Sequence, residues 1–280
     1  MATQNPDVLA AWETSSQYWN KYQTLIETMY APSSRALAAA AGVAPGQAVL
    51  DIGGGSGEPS FTLASLVGEK GTVTYTDPSA GMVKAAQSEA EKRKLGNISF
   101  HQSSAEELTF APDTFDAAVS RLSTMFFSDV LAGLRGMLRV LKPGGCVALL
   151  VWANREGNPF FSVVSDVLDR YVPAEPEDED APTAFRFARP GKLADLLREA
   201  GAKEVNEEAF SFAIEAPISV ERFWELRTEM SDTFRKKLAP LDAAKVGIIR
   251  REVINAVSDY FKSGEMNFPG QVLIVTGTKA

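Results

Sequence analysis

The sequence predicts an α/β protein whose mostly parallel β-sheet has helices on both faces. An apolar run that ends in Asp51 is followed by a glycine-rich turn and by an apolar segment with helical spacing from Phe61. Two further short runs of β-branched and aromatic residues, 72–76 and 98–102, are typical of strands. The chain has 280 residues, 45% of them apolar, which suffices for one large domain with additional segments.

The glycine-rich turn, residues 51–57, reads Asp-Ile-Gly-Gly-Gly-Ser-Gly. A strand, a tight turn and a helix start form the geometry in which a nucleotide contacts bare backbone. We expect Gly53, Gly55 and Gly57 to be needed because a Cβ would block the ligand and because several of these positions require positive φ.

The spacing of this turn argues against a dinucleotide. That fingerprint requires glycine or alanine where this chain has Glu58 or Ser60, depending on the starting glycine. Asp51 and Glu58 flank the turn, so it suits a cationic ligand with ribose hydroxyls and repels a diphosphate. An ordinary strand-to-helix turn of another α/β protein remains the alternative.

The second predicted strand ends at Asp77-Pro78. Asp77 lies twenty residues beyond Gly57, where a carboxylate at a strand tip can accept hydrogen bonds from both ribose hydroxyls. The alternative is that Asp77 caps the helix that follows, and one residue could do both.

The Asp-x-Gly-x-Gly-x-Gly turn resembles motif I of the class I S-adenosylmethionine-dependent methyltransferases. Residues 115–121 resemble the fourth strand of that family, and residues 138–145 resemble the helix end and turn before its fifth strand, 146–152. The resemblance covers about residues 43–152. It implies a Rossmann-like, seven-stranded, mostly parallel sheet and S-adenosyl-L-methionine as the cofactor.

The resemblance also implies a cofactor site. Met82 would lie against the adenine, although a buried core methionine is the alternative. Ser104 stands where the family has an aspartate that holds the adenine amino group, so we expect a weaker contact. The implied cofactor-binding residues are Asp51, Gly53, Gly54, Gly55, Gly57, Asp77, Pro78, Met82, Ser104, Ala105, Ser120 and Arg121.

Segments outside this core are helical by pattern and rich in aromatic residues. The predicted division is a helical lid (1–41), the cofactor-binding core (42–153), a helical insertion (154–189), the core continued (190–216), a helical cap insertion (217–264) and the last core strand (265–280). For residues 1–41, a helix packed on the sheet is as good an interpretation as a lid. The cap insertion, too long for a passive turn, has a dimer surface as its alternative.

The arrangement resembles small-molecule methyltransferases related to the quinone-biosynthesis C-methyltransferases. This implies methyl transfer to an O, N or C nucleophile of a modest, partly apolar molecule by in-line displacement. The candidate substrate-binding residues are Tyr18, Trp19, Tyr22, Tyr30, Met125, Trp152 and Phe160.

No catalytic residue can be assigned from the sequence, and Arg121 and Tyr18 are candidates. Arg121 precedes an apolar run, 122–127, and could orient a substrate carboxylate or enolate, or could instead pair with Asp129. The single histidine, His101, is interpreted as structural or surface-exposed.

Composition narrows the function classes. The net charge of −8 argues against nucleic acid as the main substrate, because most of the surface would repel a phosphate backbone. The absence of a long apolar run, a signal-peptide pattern and a metal-spaced cluster predicts a cytoplasmic protein without membrane insertion or metal. Two alternatives stay open at this point: an S-adenosylmethionine-binding protein without methyl transfer, and an NAD-dependent oxidoreductase.

Overall fold

The computed structural model describes residues 6–173 and 178–280. The strands are β1 (Ala48–Ile52), β2 (Thr72–Asp77), β3 (Ile98–Gln102), β4 (Phe115–Arg121), β5 (Leu141–Trp152), β6 (Lys203–Ala216) and β7 (Met266–Thr278). The helices are α1 (Pro6–Lys21), α2 (Gln23–Ala40), α3 (Ser60–Val67), α4 (Ala80–Arg93), α5 (Val130–Val140), α6 (Pro159–Asp169), α7 (Lys192–Glu199), α8 (Val220–Met230), α9 (Asp232–Leu238) and α10 (Ala243–Val257).

One seven-stranded sheet has the strand order β3-β2-β1-β4-β5-β7-β6. Only β7 is antiparallel to its neighbours, β5 and β6. The predicted fold class, a Rossmann-like sheet with helices on both faces, is confirmed. From β1 the chain adds β2 and β3 on one side of the sheet, and it then crosses back to add β4 and β5 on the other side of β1. The carboxyl ends of β1 and β4 therefore border the crevice where such sheets bind ligands.

β5 begins earlier than the sequence predicts. β5 starts at Leu141 rather than 146, because the predicted turn at 141–145 is a bulge inside the strand. Phe115 of β4 pairs with Leu141, whereas Ala117 pairs with Cys146. β7 starts at Met266 and contains Pro269. β5 pairs with β7 only from residue 272 onward, so this proline lies in a two-stranded extension formed with β6.

The N-terminal segment consists of two helices with different surroundings. α2 buries Ile26, Met29 and Leu37 almost completely and packs on β4, β5, β6 and β7. α1 buries only Ser15 fully and packs on α4 and α8. α2 is therefore a core helix, whereas α1 lies over the outside of the core. Residues 1–5 of the predicted lid lie outside the described residues.

The two later insertions contact each other and α1. α10 packs on α6 and α8, and α1 packs on α8. Glu229 of α8 accepts hydrogen bonds from Lys21 (2.5 Å) and from the Tyr22 hydroxyl (2.8 Å). The sequence has an acidic run at 175–180, which falls partly outside the described residues. Within residues 6–173 and 178–280, no helix is both long and apolar enough to span a membrane.

Asn158 joins the first insertion to the sheet. Its side chain is fully buried, its Nδ2 donates to the carbonyls of Gln271 and Asn154 (both 2.9 Å), and its Oδ1 accepts from the Gln271 amide (2.9 Å). These bonds fix the start of α6 against β7.

We expect Asn158→Ala to lower the free energy of unfolding by about 2 kcal/mol, because it leaves buried backbone groups of Gln271 without partners. Urea denaturation measures this loss. The control, Asn206→Ala, removes an exposed side chain of β6 and should change stability by less than about 0.5 kcal/mol. Equal stabilities of the two variants would contradict the role given to Asn158.

Candidate active site

The glycine turn after β1 is packed on one side and open on the other. Gly53 and Gly54 donate their amides to the carbonyl of Thr76 (2.8 and 3.1 Å). A Cβ on Gly53 would lie 1.9 Å from Ser123 Oγ, and one on Gly54 would lie 2.5 Å from the Tyr75 ring. Gly55 has φ of +55°, and a Cβ there would meet nothing within 4 Å. The turn therefore presents bare backbone to open space at Gly55.

That open space belongs to a cavity with an empty volume of about 900 Å³, which includes its open mouth. Its lining residues are Val8, Trp12, Trp19, Tyr30, Ile52, Gly53, Gly54, Gly55, Ser56, Glu58, Asp77, Pro78, Met82, Ser103, Ser104, Ala105, Glu106, Arg121, Leu122, Ser123, Phe126 and Phe127.

The cavity brings together most of the predicted cofactor residues. Those that line it are Gly53, Gly54, Gly55, Asp77, Pro78, Met82, Ser104, Ala105 and Arg121. Asp51, Gly57 and Ser120 lie outside the lining. Asp51 is buried beneath the turn, a Cβ on Gly57 would meet the Phe61 ring, and Ser120 is fully buried in β4.

Asp77 joins the glycine turn to the start of α4. Its carboxylate accepts hydrogen bonds from the amides of Gly55 (3.0 Å) and Ser79 (2.9 Å). Ser79, rather than Asp77, caps α4 by accepting from the Met82 amide (3.2 Å), so the capping alternative for Asp77 is wrong. Burial raises the pKa of Asp77 to about 6, against the two backbone hydrogen bonds that lower it. Each carboxylate oxygen retains acceptor capacity.

Ser104 lines the cavity with an unused hydroxyl. The residue is buried, and its Oγ has no hydrogen-bond partner among the described residues. An orphaned buried hydroxyl costs about 1–3 kcal/mol, which a ligand that hydrogen-bonds to it would recover. The bare backbone at Gly55, the Asp77 carboxylate and this hydroxyl together fit a nucleoside.

Arg121 connects β4 to α2 and to the glycine turn. Its guanidinium donates to Ser34 Oγ and to the carbonyl of Glu58 (both 2.9 Å), and it lies 5.6 Å from the centre of the Tyr30 ring. The predicted alternative partner, Asp129, instead caps α5 through the Ala132 amide (2.9 Å), so that pairing is wrong.

Aromatic residues of α1 lie along the cavity. Trp12 packs edge-on against Phe126 (ring centres 5.0 Å apart) and Trp19 (5.6 Å). The carboxylate of Glu13 accepts hydrogen bonds from Ser79 Oγ (2.5 Å) and the Gly81 amide (3.0 Å). These contacts hold α1 against the start of α4.

The predicted substrate residues separate into two groups. Trp19 and Tyr30 line the cavity. The others lie outside its lining: Tyr18 stacks on Arg235, Tyr22 binds Glu229, and Met125, Trp152 and Phe160 are packed in the core. His101 is exposed on β3, with its ring against Phe110 (5.2 Å).

Several lining residues were not assigned a role from the sequence. Leu122, Phe126 and Phe127 belong to the apolar run that follows Arg121, which signals their burial but not their place in a cavity. Trp12 stands in the aromatic N-terminal segment, and Glu58 flanks the glycine turn. Burial raises the pKa of Glu58, whereas the nearby Arg121 and the Thr62 hydroxyl lower it.

Asp51 combines full burial with incomplete hydrogen bonding. Its Oδ2 accepts from Ser60 Oγ (2.6 Å), and its Oδ1 has no partner among the described residues. Burial raises its pKa from the ordinary 3.8 to about 7, against the lowering effects of Ser60 and Arg121.

Because the folded state binds this proton more tightly than the unfolded chain, the contribution of Asp51 to stability increases as pH falls through 7 towards 3.8. Between pH 8 and pH 6, the ligand-free wild type should gain about 1 kcal/mol more in free energy of unfolding than Asp51→Asn. Urea denaturation at both pH values measures this, with the exposed Asp195→Asn as control. An identical pH dependence in wild type and Asp51→Asn would refute the assignment.

Comparison with known proteins agrees with this geometry. Residues 49–145 match the methyltransferase domain family. An uncharacterised protein of Mycobacterium tuberculosis is 27% identical over 282 residues, covering 97% of this chain and 95% of the relative. The ubiquinone/menaquinone biosynthesis C-methyltransferase of Vibrio vulnificus is 37% identical over 131 residues, which span 46% of this chain and only about half, 49%, of the relative.

Solved structures share the fold. The cyclase SpnF aligns with a TM-score of 0.58 at 20% identity over 96% of both chains. The YcgJ protein of Bacillus subtilis aligns with a TM-score of 0.56 at 20% identity over 88% of this chain and 97% of its own. Residues 49–145 are therefore identified as a methyltransferase domain, and the solved structures share the fold of the chain around it.

Proposed function

We propose that this chain transfers a methyl group from S-adenosyl-L-methionine to an O, N or C nucleophile of a small, partly apolar molecule. One observation carries the proposal: a single cavity is lined both by the polar groups that fit a nucleoside and by the aromatic residues of α1 and α2. The net charge of −8 supports a small molecule over a nucleic acid as acceptor.

The proposed cofactor contacts follow from the lining residues. Asp77 accepts from the ribose hydroxyls, Ser104 accepts from the adenine amino group, and Pro78 and Met82 contact the adenine faces. The bare backbone of residues 53–55 allows close approach of the methionine part. When bound, the cofactor supplies a methyl group on a cationic sulfonium, and the carboxylates of the half-buried Glu58 and the buried Asp77 complement that positive charge.

The aromatic and aliphatic lining residues would exclude water and orient the acceptor. Alignment of the reacting atoms accounts for roughly 7 to 11 kcal/mol of such a barrier, so no side chain need react covalently. Among the described lining residues, none is a histidine, and Glu106 is already bound to the amides of Ser128 and Asp129. We therefore assign no general base.

We propose α1 as the lid over this cavity. The proposed lid is shorter than residues 1–41, because α2 is buried in the core. Packing of α1 on α8, and of α10 on α6, supports a helical cap formed by all three segments and argues against a dimer surface for residues 217–264. The Vibrio vulnificus relative matches over only half its length, so it supports the catalytic core and leaves the acceptor open.

Calorimetric titration with S-adenosylmethionine and with NAD tests the cofactor, and formation of S-adenosylhomocysteine with a panel of small acceptors tests the transfer. We expect binding of S-adenosylmethionine alone. Binding of that compound without turnover on any acceptor would favour a binding protein, whereas heat only with NAD would overturn the proposal.

Asp77→Ala should weaken S-adenosylmethionine binding by about 1.5 to 3 kcal/mol, because it removes hydrogen bonds to a charged acceptor. Titration calorimetry measures the change. Asp195→Ala, which removes an exposed carboxylate, serves as the control and should leave the dissociation constant unaltered. If Asp77→Ala behaves like this control, the ribose is held elsewhere.

Glu13→Ala should release S-adenosylhomocysteine about tenfold faster, because α1 loses its hydrogen bonds to the start of α4. Stopped-flow tryptophan fluorescence during displacement measures the rate. Glu91→Ala on the exposed face of α4 is the control. A release rate equal to that of the wild type would show that α1 does not cover the exit.

A further inference from the structure

Arg227 on α8 is a buried cation without a polar partner. Its residue is 7% exposed, its Nε is buried and unbonded, and within the described residues it forms neither a hydrogen bond nor an ion pair. Its guanidinium lies 4.6 Å from the ring centre of Phe160, 4.8 Å from that of Phe161 and 5.4 Å from that of Phe234.

This arrangement is costly for a structural residue. Removing an arginine from water without a counter-ion costs several kcal/mol. Cation–π contacts with aromatic rings offset only about 2 kcal/mol of this cost at a desolvated site. The chain has 36 acidic residues, yet none of the described ones reaches Arg227. The other buried arginine of this region, Arg121, has both Ser34 and the Glu58 carbonyl as partners.

Arg227 does not itself line the cavity, but packed aromatic rings connect it to a residue that does. Tyr30 lines the cavity and packs on Trp152 (ring centres 5.9 Å apart), and Trp152 packs on Phe161 (4.8 Å) beside Arg227. Burial raises the pKa of Tyr30 to about 12, and the charges of Arg227 and Arg121 oppose this rise. The Tyr30 hydroxyl makes no hydrogen bond within the part of the chain that the structure describes.

We propose that Arg227 and the Tyr30 hydroxyl recognise an anionic oxygen of the methyl acceptor, which is therefore an apolar or aromatic organic anion such as a carboxylate. A guanidinium is a planar donor that pairs with a carboxylate, and the surrounding phenylalanine rings suit an apolar frame beside it. The inference rests on the proposed function, since it specifies the acceptor class of the same cavity.

The first test separates recognition from structure. Replacing a buried, unpaired charge by an apolar residue of similar length is neutral or stabilising. We expect Arg227→Met to be at least as stable as the wild type in urea denaturation, and the exposed Arg250→Met of α10 to be unchanged. A less stable Arg227→Met variant that retains the anion preference measured below would mark Arg227 as a packing residue and overturn the proposal.

The second test uses two matched probes, 2-naphthoate and 2-naphthylmethanol, titrated by calorimetry into protein saturated with S-adenosylhomocysteine. Wild type should bind the carboxylate at least tenfold more tightly than the alcohol. Arg227→Met should abolish this preference, Arg227→Lys should keep part of it, and Arg250→Met should keep all of it. Tyr30→Phe, which removes only one hydroxyl, should weaken binding of the carboxylate severalfold without changing the dissociation constant of S-adenosylhomocysteine.

The outcomes distinguish the two proposals. If the wild type does not bind S-adenosylhomocysteine, the proposed function fails. If it binds S-adenosylhomocysteine but takes up both naphthalene probes equally, only the anion inference fails. A carboxylate preference that survives in both Arg227→Met and Tyr30→Phe likewise overturns the anion inference alone.

Discussion

The carboxylate of Asp77 joins the glycine turn to the start of α4, and the shape of the cavity depends on this bridge. Its two oxygens accept from the Gly55 and Ser79 amides, so the carboxyl ends of β1 and β2 keep a fixed spacing. Tyr75 strengthens the same turn by donating its hydroxyl to the Gly55 carbonyl (2.6 Å). The backbone is thereby held in an open conformation without a side chain in the space that a nucleoside requires.

Charge is arranged unevenly around this bridge. Asp51 and Asp77 are buried and Glu58 is half-buried. Loss of water contact raises the pKa of each of these carboxyls, and Arg121 lies close enough to lower the pKa of Asp51 and Glu58. This cluster of three carboxyls suits a ligand that carries both a positive charge and hydroxyl groups. Further from the turn the balance of charge reverses, because Arg227 has ring faces around it and no acidic partner among the residues that the structure describes. The cavity and its wall therefore offer different surroundings to a cationic cofactor and to its acceptor.

The fold alone does not fix the reaction. A cyclase, SpnF, shares this architecture with a TM-score of 0.58, so the sheet and its helices are compatible with more than one chemistry. What this chain does must therefore be argued from the residues around the glycine turn and beneath α1. α1 lines the cavity and α8 packs on α1, so this side of the cavity depends on how segments far apart in the sequence pack.

Local spacing in the sequence determined the sheet, the glycine turn and the position of Asp77, since each depends on residues a few positions apart. The start of β5 was less accurate, because the bulge at 141–145 is accommodated by the neighbouring β4. Only the tertiary structure separated α1 from α2, paired Arg121 with Ser34 rather than Asp129, and surrounded Arg227 with aromatic rings. These features join residues as many as 87 positions apart. They follow from helix packing, which no local pattern encodes.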